Sequence, residues 1–203
     1  MKNQHYPNHC GSCWAHGTVA SVESAIKIAT GKTVHISEQQ LISCEPNYGS
    51  CNGGNFADGF YLSKGANYLE DFPYEAANVA CKEDAPQHEM LESWAYVGDR
   101  KMGPTVDDIK RAIYKYGPVA ATVSASGSWD AYKSGIYNDC NYGMLNHIVA
   151  IVGWNDDDQA WIVKNSHGVE WGDQGYIRIR YTDQYGRKCN RIGDAATIAI
   201  AKK

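Results

Sequence analysis

The sequence predicts an α+β protein, because its hydrophobic periodicity changes once along the chain. Apolar residues recur at helical spacing in the first half and turn to a strand-like, alternating pattern after Tyr116, the two being parted by Gly117-Pro118. A single domain over residues 1–203 is expected, mainly helical over 1–95 and mainly β over 96–203.

The first helix is marked by Ala15, Val19, Val22, Ile26 and Ala29, with Ser12 as a good N-cap and Gly31 as a stop. Ser37-Glu38-Gln39-Gln40 has the form of a capping box and opens a short helix ending near Ser43-Cys44. Asn52-Gly53-Gly54 forces a tight turn before a third helical run, Phe56 to Ser63. From Tyr68 to Trp94 the chain is polar and turn-rich, punctuated by Pro73 and Pro86, and reads as irregular periphery. Thr105 to Tyr116 is amphipathic, capped by Thr105 with Asp108 three residues on. Strands follow at Val119 to Ala125, His147 to Trp154, Ala160 to Lys164, Tyr176 to Tyr181 and Thr197 to Ala201. No internal repeat or low-complexity tract interrupts them.

Composition bounds the partners. With 43% hydrophobic residues the chain can bury a full core, and 19 Lys and Arg against 23 Asp and Glu leave a net charge of −4. No basic face argues for nucleic acid or an anionic membrane, and no apolar run is long enough for a spanning helix. Neither a cofactor nor a metal is expected: Asp156-Asp157-Asp158 has the charge of a calcium loop but reads as a solvated hairpin turn. No N-x-S/T sequon occurs.

The chemistry is concentrated between Asn3 and His16. Cys13 stands at the first turn of the first helix, where the helix dipole favours a thiolate and short neighbours leave the sulfur open. Cys10-Gly11-Ser12-Cys13 also fits a redox or zinc C-x-x-C motif, yet no strand precedes it and no second C-x-x-C or H-x3-H follows. Two other features complete a different constellation: Asn146-His147 opening a strand, and Asn165-Ser166-His167-Gly168 after another.

With Gln4, C-G-S-C-W at Cys10 to Trp14, C-N-G-G at Cys51 to Gly54, N-H at Asn146 to His147, V-K-N-S at Val163 to Ser166 and W-G-D-Q-G-Y-I-R-I at Trp171 to Ile179, the chain resembles the papain-like cysteine peptidases nearly end to end. The interval from Cys13 to His147 falls in the window of about 130 to 150 residues that separates nucleophile and base in such enzymes. The resemblance implies two lobes, one helical and one an antiparallel β-barrel-like sheet, with a cleft between them. It implies Cys13 as nucleophile, His147 as base, Asn165 as the group orienting that imidazole, and the Gln4 side chain with the Cys13 N–H as oxyanion donors. Gly53, Gly54, Asn146 and Trp171 would line the substrate, and peptides or proteins would be the partners, with a propeptide or cystatin-type inhibitors beside them. A monomer is expected. The expectation is also that this chain lacks both a propeptide and the usual N-terminal segment before Gln4.

Seven cysteines leave one thiol over if the rest pair, and spacing alone leaves the pairing open. By resemblance Cys10 pairs with Cys51, Cys44 with Cys81 and Cys140 with Cys189, which implies an oxidising compartment: secreted, lysosomal or vacuolar, or periplasmic.

Two local departures refine the reading. The residues His5-Tyr6-Pro7-Asn8-His9 lengthen the stretch between Gln4 and Cys13, and this insert resembles the cathepsin X group, which implies a carboxypeptidase whose His5 pairs with the substrate's terminal carboxylate. His9 would assist it or be solvated, and His16 reads as helix packing. His167 stands where the family has Trp, so a weaker His147 orientation and an altered pH profile are expected. Asp194 falls near the floor of the family's main specificity pocket and would favour basic side chains. An endopeptidase with an open cleft and a non-catalytic peptide-binding homologue are the alternatives.

Overall fold

The computed structural model describes residues 1–202. The chain forms α1 (Cys13–Thr30), α2 (Glu38–Cys44), β1 (Gly49–Ser50) and β2 (Gly53–Gly54). Then come β3 (Leu91–Tyr96), α3 (Val106–Tyr116), β4 (Val119–Val123), β5 (Ile136–Tyr137), β6 (His147–Asn155), β7 (Ala160–Lys164), β8 (Tyr176–Arg180) and β9 (Ala196–Ala201). The run expected as a third helix is a 3-10 turn, Asp58–Leu62.

Seven strands form one sheet in the order β3-β9-β4-β6-β7-β8-β5, antiparallel except for the β5–β8 pair. The sheet is open rather than barrel-like: β3 ends one edge and the two-residue β5 the other, and among the described residues these edges do not pair. Side chains alternate across the sheet. Ala120, Ile148 and Ala199 face a core built with α1 and α2, whereas Ala121, Val149 and Ile198 face a second core under α3. The helical half and the β half therefore share the sheet as a common wall.

β3 was not legible as a strand and straddles the boundary expected at residue 95. A bulge between Leu91 and Ser93 breaks its alternation, and only Leu91 is fully buried.

Helix ends follow local chemistry. Gly31 closes α1 at φ 74°, and the Thr105–Asp108 capping box of α3 is complete in both directions. Ser37 caps α2 through the Gln40 N–H, but the Gln40 side chain turns away to Gly65 and Asn67. Ser12 makes no cap bond; its hydroxyl lies 2.6 Å from Tyr74 Oη and 3.4 Å from His16 Nδ1.

Gly17 sets how closely α1 approaches the sheet. A Cβ there would lie 2.6 Å from Ile148 Cγ2 and 3.4 Å from the Val149 carbonyl, so only glycine lets the first turn of α1 rest on the start of β6. That contact brings Cys13 to the neighbourhood of His147. Three disulfides, Cys10–Cys51, Cys44–Cys81 and Cys140–Cys189, follow the implied pairing, and Cys13 is free.

Candidate active site

The antiparallel β6–β7 pair, with Ala150 opposite Lys164, brings the first residue of β6 beside the residue just after β7. These are His147 and Asn165. His147 Nε2 lies 2.7 Å from Asn165 Oδ1, and both side chains are buried. An amide oxygen can only accept, so Nε2 carries the proton and Nδ1 is left as the nitrogen able to take one. Trp129 stands edge-on to the His147 ring at 5.8 Å and packs at 5.5 Å, tilted by 30°, on Trp171, so Trp171 reaches the His147 ring through Trp129.

Cys13 begins α1, and the backbone N–H of Ile148, the residue after His147, lies close enough to its sulfur to favour the thiolate. Burial pushes the thiol up against the pull of that N–H and those of Trp14 and Cys13 itself, so the expected dipole effect does not dominate. Burial likewise lowers His147, opposed by the Asn165 bond and by Asp130. Each group alone is held neutral. A thiolate and an imidazolium formed together would offset that cost by mutual attraction.

Gln4 is held from three sides. Its backbone N–H donates to the Ser166 carbonyl at 2.8 Å, the Ser166 hydroxyl donates to Oε1 at 2.6 Å, and Nε2 donates to the Cys10 carbonyl at 3.2 Å. The second N–H on Nε2 is left for a ligand. Tyr74 Oη joins the Gln4 carbonyl, 2.8 Å away, to Ser12. Ser166, Tyr74 and Trp129 were not singled out from the sequence. Ser166 could have been, since it follows Asn165 in the quoted motif, whereas nothing local marks Trp129.

The inserted loop folds back toward His147. The His5 ring stacks on His9 at 4.6 Å with planes 7° apart and lies 4.8 Å from His167, which lies 5.2 Å from His147. His5 Nδ1 is buried without a partner. Burial lowers His5, and His9 and His147 add to the effect. His167 is pushed down to about 3 by burial and by His147, His5 and His16. Its ring is thus held neutral, and the altered pH profile expected at this position would have to come through His147 rather than from a charge on His167.

Other expected site residues are placed differently. The Asn146 side chain is spent on Ala125, accepting its N–H at 2.8 Å and donating to its carbonyl at 3.1 Å. A Cβ on Gly54 would lie 2.6 Å from Trp14 Cδ2, so packing on Trp14 already requires glycine there; Gly54 nonetheless leaves its backbone exposed. Gly53 has φ 113° and borders Gly11. Asp194 lines a pocket of about 290 Å³ with Phe56, Tyr96 and Arg100, but Arg191 at 2.8 Å and Lys188 at 3.4 Å already neutralise it. A preference for basic side chains loses its free carboxylate. His16 is buried edge-on against Tyr74, and Asp158 pairs with Arg178 in the β6–β7 turn. Among the described residues no group of His, Cys, Asp or Glu is arranged to hold a metal ion, and no helix is long and apolar enough to cross a membrane.

The pattern of the family described as papain family cysteine protease matches residues 1–200. The chain belongs to that family. It is 38% identical to ananain of Ananas comosus over 189 residues, which cover 88% of this chain and 51% of ananain. It is also 38% identical to a cathepsin L-like proteinase of Phaedon cochleariae over 193 residues, covering 90% of this chain and 57% of that proteinase. The chain thus spans about half the length of these two papain-family relatives. The crystal structure of the Carica candamarcensis cysteine protease CMS1MS2 in complex with E-64 superposes with a TM-score of 0.88 at 28% identity, covering 100% of this chain and 93% of that one.

Proposed function

We propose that this chain is a cysteine-type peptidase that removes single residues from peptide C-termini. The observation that carries the first part is the free Cys13 sulfur lying against Ile148 while the adjacent His147 is tied to Asn165 at 2.7 Å. His147 Nδ1 takes the thiol proton as sulfur attacks the scissile carbonyl carbon. Gln4 Nε2–H and the Cys13 N–H receive the oxyanion. Collapse breaks the C–N bond, and the leaving amine takes the proton from His147, giving a thioester. Water, deprotonated by His147, attacks the thioester, and the released thiolate recovers the proton.

The second part rests on His5. The leaving amine departs on the side of the imidazole that protonates it, and one residue of extended chain spans only about 3.6 Å. The terminal carboxylate of a one-residue leaving group therefore stays near His147, where His5 stands one ring beyond His167 with an unpartnered Nδ1. Binding that carboxylate raises His5 and favours acid conditions. Peptides and proteins are the substrates, and the three disulfides suit an oxidising compartment.

Mass spectrometry of products from one defined peptide, offered as free acid and as C-terminal amide, tests both parts. The expected result is stepwise loss of single residues from the free acid only, abolished by Cys13→Ala and by stoichiometric labelling of Cys13 with an epoxysuccinyl reagent. Equal cleavage of acid and amide would discard the exopeptidase reading and leave an endopeptidase, and no labelling of Cys13 would discard both.

A further inference from the structure

A cavity of about 20 Å³ is bordered by His16, Gly17, Glu38, Ile148, Asn165 and Ser166. Three buried polar side chains on its wall have atoms without protein partners. Asn165 Nδ2 has none, since Oδ1 is the atom engaged by His147. His16 Nε2 has none, while His16 Nδ1 lies 3.0 Å from the Ser12 carbonyl. Glu38 Oε1 makes an ion contact with Lys2 Nζ at 2.7 Å that lacks hydrogen-bond geometry, and Oε2 has no partner at all.

The donor and acceptor roles of these atoms are fixed. The Asn165 amide nitrogen can only donate and the Glu38 carboxylate only accept. The Ser12 carbonyl only accepts, so His16 Nδ1 carries the proton and Nε2 is a bare acceptor. Burial lowers His16 despite Glu38 and so favours the neutral ring. Side chains that carry one donor and two acceptors therefore line a volume sufficient for one water, about 10 to 15 Å³ being the minimum. A single water within reach of all three would satisfy them by accepting one hydrogen bond and donating two. Leaving such groups unpaired costs more than the entropy of fixing the water.

We propose that this cavity is a structural water site and that, through its water, His16 and Glu38 are positioning residues for Asn165. The water holds Nδ2, and with it the plane of the amide whose Oδ1 fixes His147. The inference rests on the peptidase reading only for its kinetic consequence. The charged groups facing the cavity are Lys2 from the N-terminal segment, Glu23 from α1, Glu38 from α2 and Lys164 from β7. Those facing His147 are Asp130, His5 and His167, with Cys13 against the next residue.

The test compares His16→Phe, which removes the acceptor, with His16→Gln, whose amide oxygen can replace Nε2. A crystal structure of the wild type showing ordered waters is expected to place one within hydrogen-bond distance of Asn165 Nδ2, His16 Nε2 and Glu38 Oε2. It should persist in His16→Gln and vanish in His16→Phe. Per thiol titrated, kcat of His16→Phe falls about tenfold, the worth of one hydrogen bond, with KM unchanged. Its His147 midpoint, followed by NMR, drops as the supporting Asn165 bond loosens, and His16→Gln restores both. Wild-type density with no water at that point overturns the proposal. So does a His16→Phe variant that loses thermal stability but keeps the His147 midpoint. If Cys13 fails to label and no peptide is cut, the peptidase reading fails instead, and the crystallographic water and the NMR midpoint still decide the site.

Discussion

The floor and the rim of the cleft are made of similar polar groups but are finished differently. On the floor, the Gln4 amide oxygen, the Asn165 oxygen and His147 Nε2 each have a protein partner within 2.7 Å, and the unpartnered Asn165 Nδ2 points the other way along the same amide. On the rim, His5 stacks on His9 and abuts His167, which reaches His147 and Trp171, and His5 Nδ1 is buried with nothing to bond. A completed set of hydrogen bonds holds groups in place for chemistry, whereas an uncompleted one has an affinity to offer a ligand. Under the proposed reading the floor carries the bond-breaking chemistry and the rim selects the substrate.

The strongest way to break this comparison is to remove a floor donor. Gln4→Ala is expected to lower kcat by about 10² to 10³, the usual cost of one oxyanion donor. Because Gln4 also bridges Ser166 and Cys10, the rate must be expressed per Cys13 thiol titrated. A loss in proportion to the titratable thiol alone would make Gln4 a structural residue and remove it from the floor.

A rim substitution should act on selection. His5→Ala is expected to cut the preference for a free-acid over an amidated peptide by about tenfold, one charge-assisted bond being roughly twice a neutral one, with kcat on an amide substrate little changed. The wild-type preference should also weaken as pH rises, because His5, lowered by burial, loses the proton that holds the carboxylate. An unchanged acid-to-amide ratio in His5→Ala would show that the loop shapes the turn and no more.

His167 joins the two regions, and its effect is expected to be smaller. Held near 3, it stays neutral through the working range. His167→Trp therefore should raise kcat/KM about twofold to fivefold by drying the His147–Asn165 bond, without moving either limb of the pH profile. A displaced limb would mean that His167 carries charge in the working range after all.

How much of this was legible in the sequence depended on the range of the interaction. Cys13, His147, Asn165 and Gln4 were legible because each sits in a distinctive local motif, and the strands at Val119, His147 and Ala160 because they are short apolar runs containing Val or Ile. The disulfides were legible only by resemblance. What stayed hidden was set by distant partners. Tyr74 draws the Ser12 hydroxyl away from the helix cap, and Ala125 occupies the Asn146 side chain. The bulge at Leu91 erased the period of β3. His5 and His9 are close in sequence, yet nothing local says that their stack ends on His167. Asp194 is the exception, since Lys188 and Arg191 stood within a few residues and its pairing could have been read.

The gentlest test separates pH effects in the cleft from those in the scaffold and should leave every rate untouched. Asp58 is buried where the 3-10 turn meets α1 and β9, accepting from Thr197 Oγ1 at 2.9 Å and Ser21 Oγ at 3.4 Å. Burial lifts it from 3.8 to about 6, and the Thr197 and Ser21 bonds only partly oppose that. The folded protein therefore holds a proton there that the unfolded chain gives up between these values. Its contribution is fully present below the unfolded pKa and is lost as pH rises through about 6. Asp58→Asn cannot titrate, so its Tm relative to wild type should climb by about 4 °C or more between pH 4 and pH 7. A constant Tm difference across that range would mean that Asp58 is ionised throughout, and acid dependence would then have to be sought in the cleft histidines alone.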